Sequence, residues 1–94
     1  MNLNLTPEAR ADLLGIHRYI SSENERIADN VVSRLRASIE TLRVLPMAGR
    51  LGLVEGTRER SVPSLPYIVV YTATDETELD ILAVIHERRD YPFR

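Results

Sequence analysis

The chain has 94 residues, of which 44% are hydrophobic, and a formal net charge of −2. This length and composition predict one compact domain over residues 1–94 and exclude a disordered chain. The absence of cysteine excludes disulfide scaffolds, zinc ribbons and thiol catalysis. With no signal peptide and no apolar run near the ~18 residues of a membrane span, a cytoplasmic protein is expected.

The first half of the chain predicts a short strand and two helices. Residues 2–5 alternate polar and apolar side chains, as an edge strand does. A helix follows Thr6, which is a suitable N-cap, and Gly15 within this helix suggests close approach of a neighbour. After a short polar break, the apolar stripe of a second helix runs to Leu45, and Pro46 ends it. The short break predicts an antiparallel helical hairpin.

The second half predicts a loop and three strands. Residues 46–56 contain three glycines and one proline, which is typical of a loop. The strands are predicted at 57–62, 66–73 and 78–86, and the last two are rich in β-branched and apolar residues. The order β-α-α-β-β-β predicts an α+β fold, in which an antiparallel sheet packs against the helical hairpin.

The segment His86–Pro92, HERRDYP, concentrates polar chemistry directly after the last predicted strand. His86 is a candidate general acid or base, and the alternative is a histidine that bonds the backbone where the strand ends. Strict alternation along this strand places His86 on the same face as Asp80, Leu82 and Val84.

Two arginines of the strand 57–62, Arg58 and Arg60, share a face and are candidates to stabilise charge on a phosphate. Neither a metal nor a cofactor is expected. Two histidines without a cluster of acids do not predict a metal site, and the loop glycines lack the spacing and the lysine of a phosphate-binding loop.

Four segments resemble the RelE/ParE superfamily of bacterial type II toxins, and most closely its ParE branch. They are Gly49-Arg50, GTRE at 56–59, PYIVVY at 66–71, and the closing pattern His86-x-x-Arg89-Asp90-x-Pro92. The segment LTPEARADLLGIHRYI is also similar to the family's first helix. The fold that the resemblance implies, β-α-α-β-β-β, agrees with the topology predicted above.

The resemblance implies a plasmid-stabilisation type of toxin that a co-encoded antitoxin neutralises. A ParD-like antitoxin with a ribbon-helix-helix part would bind the operon's DNA, and its C-terminal segment would wrap over the toxin's helical hairpin and sheet. The toxin itself would then form a hetero-oligomer with the antitoxin. It would bind neither specific DNA sequences nor a membrane.

Two activities occur in the superfamily, and charge favours one of them. The ParE branch poisons DNA gyrase and needs no catalytic residue, whereas the RelE branch cleaves mRNA on the ribosome. All 12 basic residues here are arginines, and the net charge is −2. Docking into ribosomal RNA favours a strongly basic protein. Gyrase poisoning is therefore the favoured hypothesis, and mRNA cleavage remains the alternative, with the candidate catalytic residues Arg58, Arg60, His86 and Tyr91.

The residues expected to contact a partner combine the strand arginines with the tail. Asp90 and Pro92 are expected to end the strand and fix the tail, which leaves neighbouring side chains exposed. A third reading is a degenerate toxin that only forms the antitoxin complex. The predicted contact set is Arg58, Arg60, His86, Arg88, Arg89 and Tyr91.

Overall fold

The computed structural model describes residues 1–92 as two helices packed against a five-stranded sheet of order β1-β5-β4-β3-β2. The elements are β1 (Asn2–Leu5), α1 (Pro7–Ser21), α2 (Glu25–Thr41), β2 (Arg50–Leu51), β3 (Arg58–Ser61), β4 (Tyr67–Ala73) and β5 (Glu78–His86). The predicted α+β fold with its helical hairpin is confirmed. Within the described part of the chain, none of the helices has the length and apolar character to span a membrane.

The sheet is mixed, whereas the sequence predicted an antiparallel one. The strands β2, β3, β4 and β5 pair antiparallel, but β1 pairs parallel with β5, Asn2 opposite Glu78 and Leu5 opposite Ile81. The hairpin of helices returns the chain to the other edge of the sheet, so β1 is free to join β5 from outside. Its Leu3 and Leu5 then pack against the main core.

The glycine-rich segment predicted as a loop contains the short strand β2. Arg50 lies opposite Glu59 and Leu51 opposite Arg58 on β3. The guanidinium of Arg50 pairs with the buried carboxylate of Glu59 at 3.1 Å. The local sequence pattern is dominated by glycine, so it does not predict this pairing between strands.

The start of α1 agrees with the prediction, but the surroundings of Gly15 do not. The Thr6 hydroxyl accepts a hydrogen bond from the Ala9 N–H at 3.1 Å, as an N-cap does. No heavy atom of a neighbouring element lies within 4 Å of where a Cβ on Gly15 would be. The expected close approach at Gly15 is therefore wrong, because this side of α1 faces an open cleft.

The second helix ends earlier than its apolar stripe. Residues beyond Thr41 form tight turns in which N–H groups bond carbonyls three residues earlier, such as Leu42 to Ile39 at 3.0 Å. Leu45, predicted to be the last residue of the buried stripe, is 59% exposed. The apolar residues that precede Pro46 thus lie on the surface.

A β-bulge in β5 reverses the alternation of its side chains. Val70 lies opposite Ala83, but Tyr71 lies opposite Ile81, so Leu82 is the extra residue. As a result, Val84 joins the core on the helix side of the sheet, and His86 shares that face. The prediction that His86 shares a face with Asp80 and Leu82 is wrong for this reason.

The core has two parts, one on each face of the sheet. The main part lies between the sheet and the helices, and it includes Leu13, Leu35, Val69 and Tyr71. A smaller cluster covers the opposite face, which we call the far face, and is formed by Ile68, Val70, Ala83 and Ile85. A side chain of the sheet lies on the helix side if it shares a face with the first cluster, and on the far face if it shares a face with the second.

Candidate functional site

The two strand arginines lie on the helix side of β3, which is the strand next to the edge strand β2. Arg58 lies opposite Tyr71, and Arg60 lies opposite Val69. The Arg58 Nη1 donates to the Gly49 carbonyl at 2.8 Å. The Nε of Arg60 is buried and has no hydrogen-bond partner among the described residues. The prediction that these two arginines share a face is confirmed.

A tyrosine clasp fixes the segment that runs past these arginines. The buried Tyr71 hydroxyl donates to the Pro46 carbonyl and accepts from the Gly49 N–H, both at 2.8 Å. A Cβ on Gly49 would lie 2.8 Å from this hydroxyl oxygen, so only glycine allows the approach. The clasp therefore sets the position of Arg58, whose guanidinium bonds the same glycine.

The tail after β5 folds back on the end of the strand. The His86 N–H donates to the Asp90 carboxylate at 3.1 Å, and the Asp90 N–H donates to the His86 carbonyl at 2.9 Å. The expectation that Asp90 fixes the tail is confirmed by these two bonds. Arg88 and Arg89 are exposed beside them.

The ring of His86 is held by the backbone that follows it. Its Nδ1 accepts the Arg88 N–H at 3.1 Å, so the neutral ring carries its proton on Nε2. The ring also meets the Tyr67 ring edge to face, with centroids 5.5 Å apart. A neutral imidazole in this tautomer has no free lone pair, and it cannot act as a general base without losing the backbone bond.

A cleft of about 320 Å³ lies between α1 and the tail. Tyr19 and Arg89 stand on its two sides, with the guanidinium 5.2 Å from the ring centroid. The carboxylate of Asp12 reaches across to accept the Val84 N–H at 2.9 Å, just after the bulge. We call this the tail cleft.

Burial governs the titration of two groups in the tail cleft. Burial raises the pKa of Asp12 above its usual value of 3.8, and the negative charges of Asp90 and Glu8 add to this, while the Val84 N–H opposes it. Burial also raises the pKa of Tyr67, against the opposing charge of Arg89. Both groups are therefore held toward their protonated forms.

Tyr91 lies on the far face of the sheet. Its ring packs against the cluster that contains Ile68 and Ile85, and the Arg50 guanidinium lies 5.8 Å from its centroid. The tail thus passes around the end of the sheet, with Arg89 on the helix side and Tyr91 on the other.

The predicted contact set is divided among three places. Arg58 and Arg60 lie on β3, and the buried Tyr67 and Val69 of β4 separate them from β5. The second place is the rim of the tail cleft, with His86 and Arg89 in its wall and the exposed Arg88 next in sequence. Tyr91 is the third. Three residues with a part in these places were missed: Asp12, Tyr19 and Arg50.

All three lie in segments that resemble the family, Arg50 in Gly49-Arg50 and the other two in the segment that is similar to the family's first helix. Their contacts were still not predicted, because polar side chains on the outside of a helix are usually only solvated. No group of three or more acidic, histidine or cysteine side chains suited to a metal ion occurs within residues 1–92.

Comparison with known proteins gives three concordant results. A family model described as "ParE toxin of type II toxin-antitoxin system, parDE" matches residues 3–91. A Sinorhizobium fredii protein named "Putative toxin Y4kP" is 32% identical over 83 residues, which are 88% of this chain and 82% of that protein. A solved structure titled "Chromosomal ParDE TA system from P. aeruginosa" superimposes with a TM-score of 0.81 at 25% identity, over 92% of this chain and 95% of the other.

Proposed function

The chain belongs to the family of ParE toxins of type II toxin–antitoxin systems, and we propose that it poisons DNA gyrase by binding it. In this proposal the toxin acts in the cytoplasm, where gyrase works, and a co-encoded ParD-like antitoxin neutralises it. Binding to a protein target requires an exposed surface rather than a catalytic centre.

The observation that carries the proposal is the separation of the side chains that a nuclease would combine. Tyr91 packs on the far face, whereas Arg58, Arg60 and His86 lie on the helix side. The His86 ring is moreover engaged through Nδ1. General acid–base cleavage needs its groups within hydrogen-bond reach of one substrate, so this arrangement supports binding over mRNA cleavage.

The tail supplies the surface that we propose contacts gyrase. Arg88 and Arg89 are exposed, and the bonds between His86 and Asp90 hold the backbone that carries them. Because the tail is already ordered, binding costs little conformational entropy. Arginine is also among the residues that dominate binding energy at protein interfaces.

A supercoiling assay with purified gyrase and relaxed plasmid tests this proposal. We expect the toxin to inhibit supercoiling and to increase the yield of linear plasmid after denaturation of the complexes, and we expect added antitoxin to reverse both effects. A toxin in molar excess that changes neither readout overturns the proposal.

Matched charge reversals locate the contact. The double variant Arg88→Glu with Arg89→Glu is expected to need roughly ten-fold more toxin for the same effect. The control is Arg26→Glu with Arg36→Glu, which makes the same charge change on exposed positions of α2 and should act like wild type. Equal loss in both variants would show that only net charge matters.

The alternative activity has its own readout. Primer extension on translated mRNA detects ribosome-dependent cleavage. If cleavage appears and is lost in His86→Ala and Arg60→Ala, the toxin is a nuclease.

A further inference from the structure

A buried carboxylate lies on the far face of the sheet, on the strand next to the edge strand β2. Glu59 of β3 is opposite Val70 of β4, which belongs to the far-face cluster. Only 3% of Glu59 is exposed. Removing a carboxylate from water is costly unless hydrogen bonds and an opposite charge compensate for it. The burial of Glu59 therefore depends on the cation that it binds.

That cation is the guanidinium of Arg50, which lies directly opposite Glu59 on β2. The Nε and Nη2 atoms of Arg50 both donate to the Oε1 atom of Glu59, at 3.2 and 3.1 Å. Two bonds to one oxygen restrict both the position and the plane of the guanidinium. The side chain of Arg50 is nevertheless 58% exposed, so the sheet holds a cation in a defined place at its surface.

The guanidinium of Arg50 reaches the tail that follows β5. Its Cζ atom lies 5.8 Å from the centroid of the Tyr91 ring, within the range of a cation–π contact. The same ring packs against the far-face cluster. Glu59, Arg50 and Tyr91 thus form one chain of contacts from the sheet to the tail, which we call the tail latch.

A contact with the roles reversed holds the tail on the helix side. There the guanidinium belongs to the tail, in Arg89, and the aromatic ring belongs to α1, in Tyr19. Tyr19 is 66% exposed, and exposed side chains change rotamer within nanoseconds. Arg50, in contrast, is bonded to a buried carboxylate. The tail latch is therefore the firmer of the two attachments.

We propose that Arg50 and Glu59 are positioning residues for the contact with gyrase, and that they act through Tyr91. By holding Tyr91 on the far face, the tail latch keeps the preceding turn closed, and that turn presents Arg88 and Arg89. Neither Arg50 nor Glu59 needs to touch gyrase. The link to gyrase rests on the proposed function, whereas the ordering of the tail rests on the contacts themselves.

One contact is enough to matter here because the end of a chain is weakly held. Segments near a terminus open with free energies close to zero, so the loss of a single cation–π contact changes the fraction of closed tails. A partner that binds only the closed tail loses apparent affinity in proportion to that fraction. Loss of the tail latch should therefore appear both in the opening of the tail and in the potency against gyrase.

Amide hydrogen exchange followed by NMR tests the ordering of the tail without gyrase. The probe is the Asp90 N–H, which donates to the His86 carbonyl at 2.9 Å. Tyr91→Leu keeps an apolar side chain on the far face but removes the ring, and we expect the Asp90 amide to exchange at least about three-fold faster. Tyr91→Phe keeps the ring, so its exchange should resemble that of wild type. Equal rates in these two variants would overturn the proposal.

A second set of variants changes the other side of the tail latch. Arg50→Met removes the cation and should also speed exchange at Asp90 at least about three-fold, whereas Arg50→Lys keeps a cation and should lie between Arg50→Met and wild type. The control is Arg43→Met, which breaks the exposed ion pair with Glu40 and should exchange like wild type.

The pattern of exchange separates positioning from a general loss of stability. A purely structural role of Arg50 would speed exchange throughout the central strand β4, whereas the proposal requires a change confined to the tail. Circular dichroism melting of each variant checks folding. Arg50→Met leaves the buried Glu59 without its cation, and the two Tyr91 variants still decide the question if Arg50→Met does not fold.

Supercoiling assays with the same variants separate this inference from the proposed target. Tyr91→Leu and Arg50→Met are expected to need at least about three-fold more toxin for the same inhibition of gyrase, and Arg43→Met the same amount as wild type. If exchange changes as expected but wild-type toxin does not affect gyrase, the ordering of the tail by the latch is supported and the gyrase proposal fails. If exchange changes while the potency against gyrase does not, the tail latch does not position the contact and the inference is overturned.

Discussion

Removing a single oxygen atom from the tyrosine clasp is expected to destabilise the fold strongly. Tyr71→Phe leaves the buried Gly49 N–H without its acceptor and the Pro46 carbonyl without its donor, both now bonded at 2.8 Å. An unpaired buried group costs about 1–3 kcal/mol, and the half-buried carbonyl costs less because water reaches it. Together they predict a loss of about 2–3 kcal/mol in the free energy of unfolding.

Urea denaturation followed by circular dichroism measures this loss. For a domain of this size, each kcal/mol corresponds to about 4–8 °C in melting temperature, so a decrease of roughly 10–20 °C is expected. The control is Tyr19→Phe, since Tyr19 is exposed and should change stability by less than about 0.5 kcal/mol. A Tyr71→Phe variant within that same range of wild type would refute the reasoning.

Three further substitutions have defined outcomes. Gly15→Ala should raise the free energy of unfolding by about 0.5–1 kcal/mol in urea denaturation, because nothing obstructs the new methyl group, and no gain would show that this part of α1 is not helical. Thr6→Ala should lower the free energy of unfolding by about 1 kcal/mol through loss of the cap on Ala9, whereas Thr6→Ser should leave it unchanged. Equal losses in the two variants would show that the hydroxyl cap does not stabilise α1. Asp12 has a raised pKa because it is partly buried. Its contribution to stability is therefore fully present below the unfolded pKa near 3.8 and is lost as pH rises through the folded pKa. Asp12→Asn keeps an acceptor for Val84, so across a series of urea titrations its stability relative to wild type should increase from about pH 3 to pH 7, and a flat difference would contradict the shift.

Local signals in the sequence predicted most of the elements. The cap at Thr6, the β-branched run of β4 and the apolar run of β5 each act through neighbouring residues, so a single sequence is enough to locate them. The strand 78–86 has the predicted bounds. The helical hairpin follows from one short break between two apolar stripes.

Features that depend on distant partners were not predictable. The strand β2 exists because Arg50 meets Glu59 across the sheet. The bulge at Leu82 changes which side chains share a face with His86, and the alternating sequence pattern does not predict a bulge there. Leu45 continues an apolar stripe but lies past the end of α2, so its exposure depends on where the helix stops.

The candidate site was predicted in composition but not in arrangement. The fixing of the tail by Asp90 was anticipated. That Tyr91 crosses to the far face while Arg89 stays on the helix side was not, because the direction of a tail around a sheet edge depends on packing at both faces. The proximity of Met47 and Leu51 to Arg58 was likewise not predictable, since both residues come from a presumed loop.

The parallel pairing of β1 with β5 links synthesis to folding. Asn4 bonds Asp80, which is 76 residues later in the chain, and Leu3 and Leu5 contact the core beside that last strand. A ribosome that is still making β4 therefore carries a chain whose first strand has no partner. Contacts this distant in sequence form late and slowly, so the sheet is complete only after β5 has been made. An antitoxin that is already present can meet the toxin as soon as its fold closes.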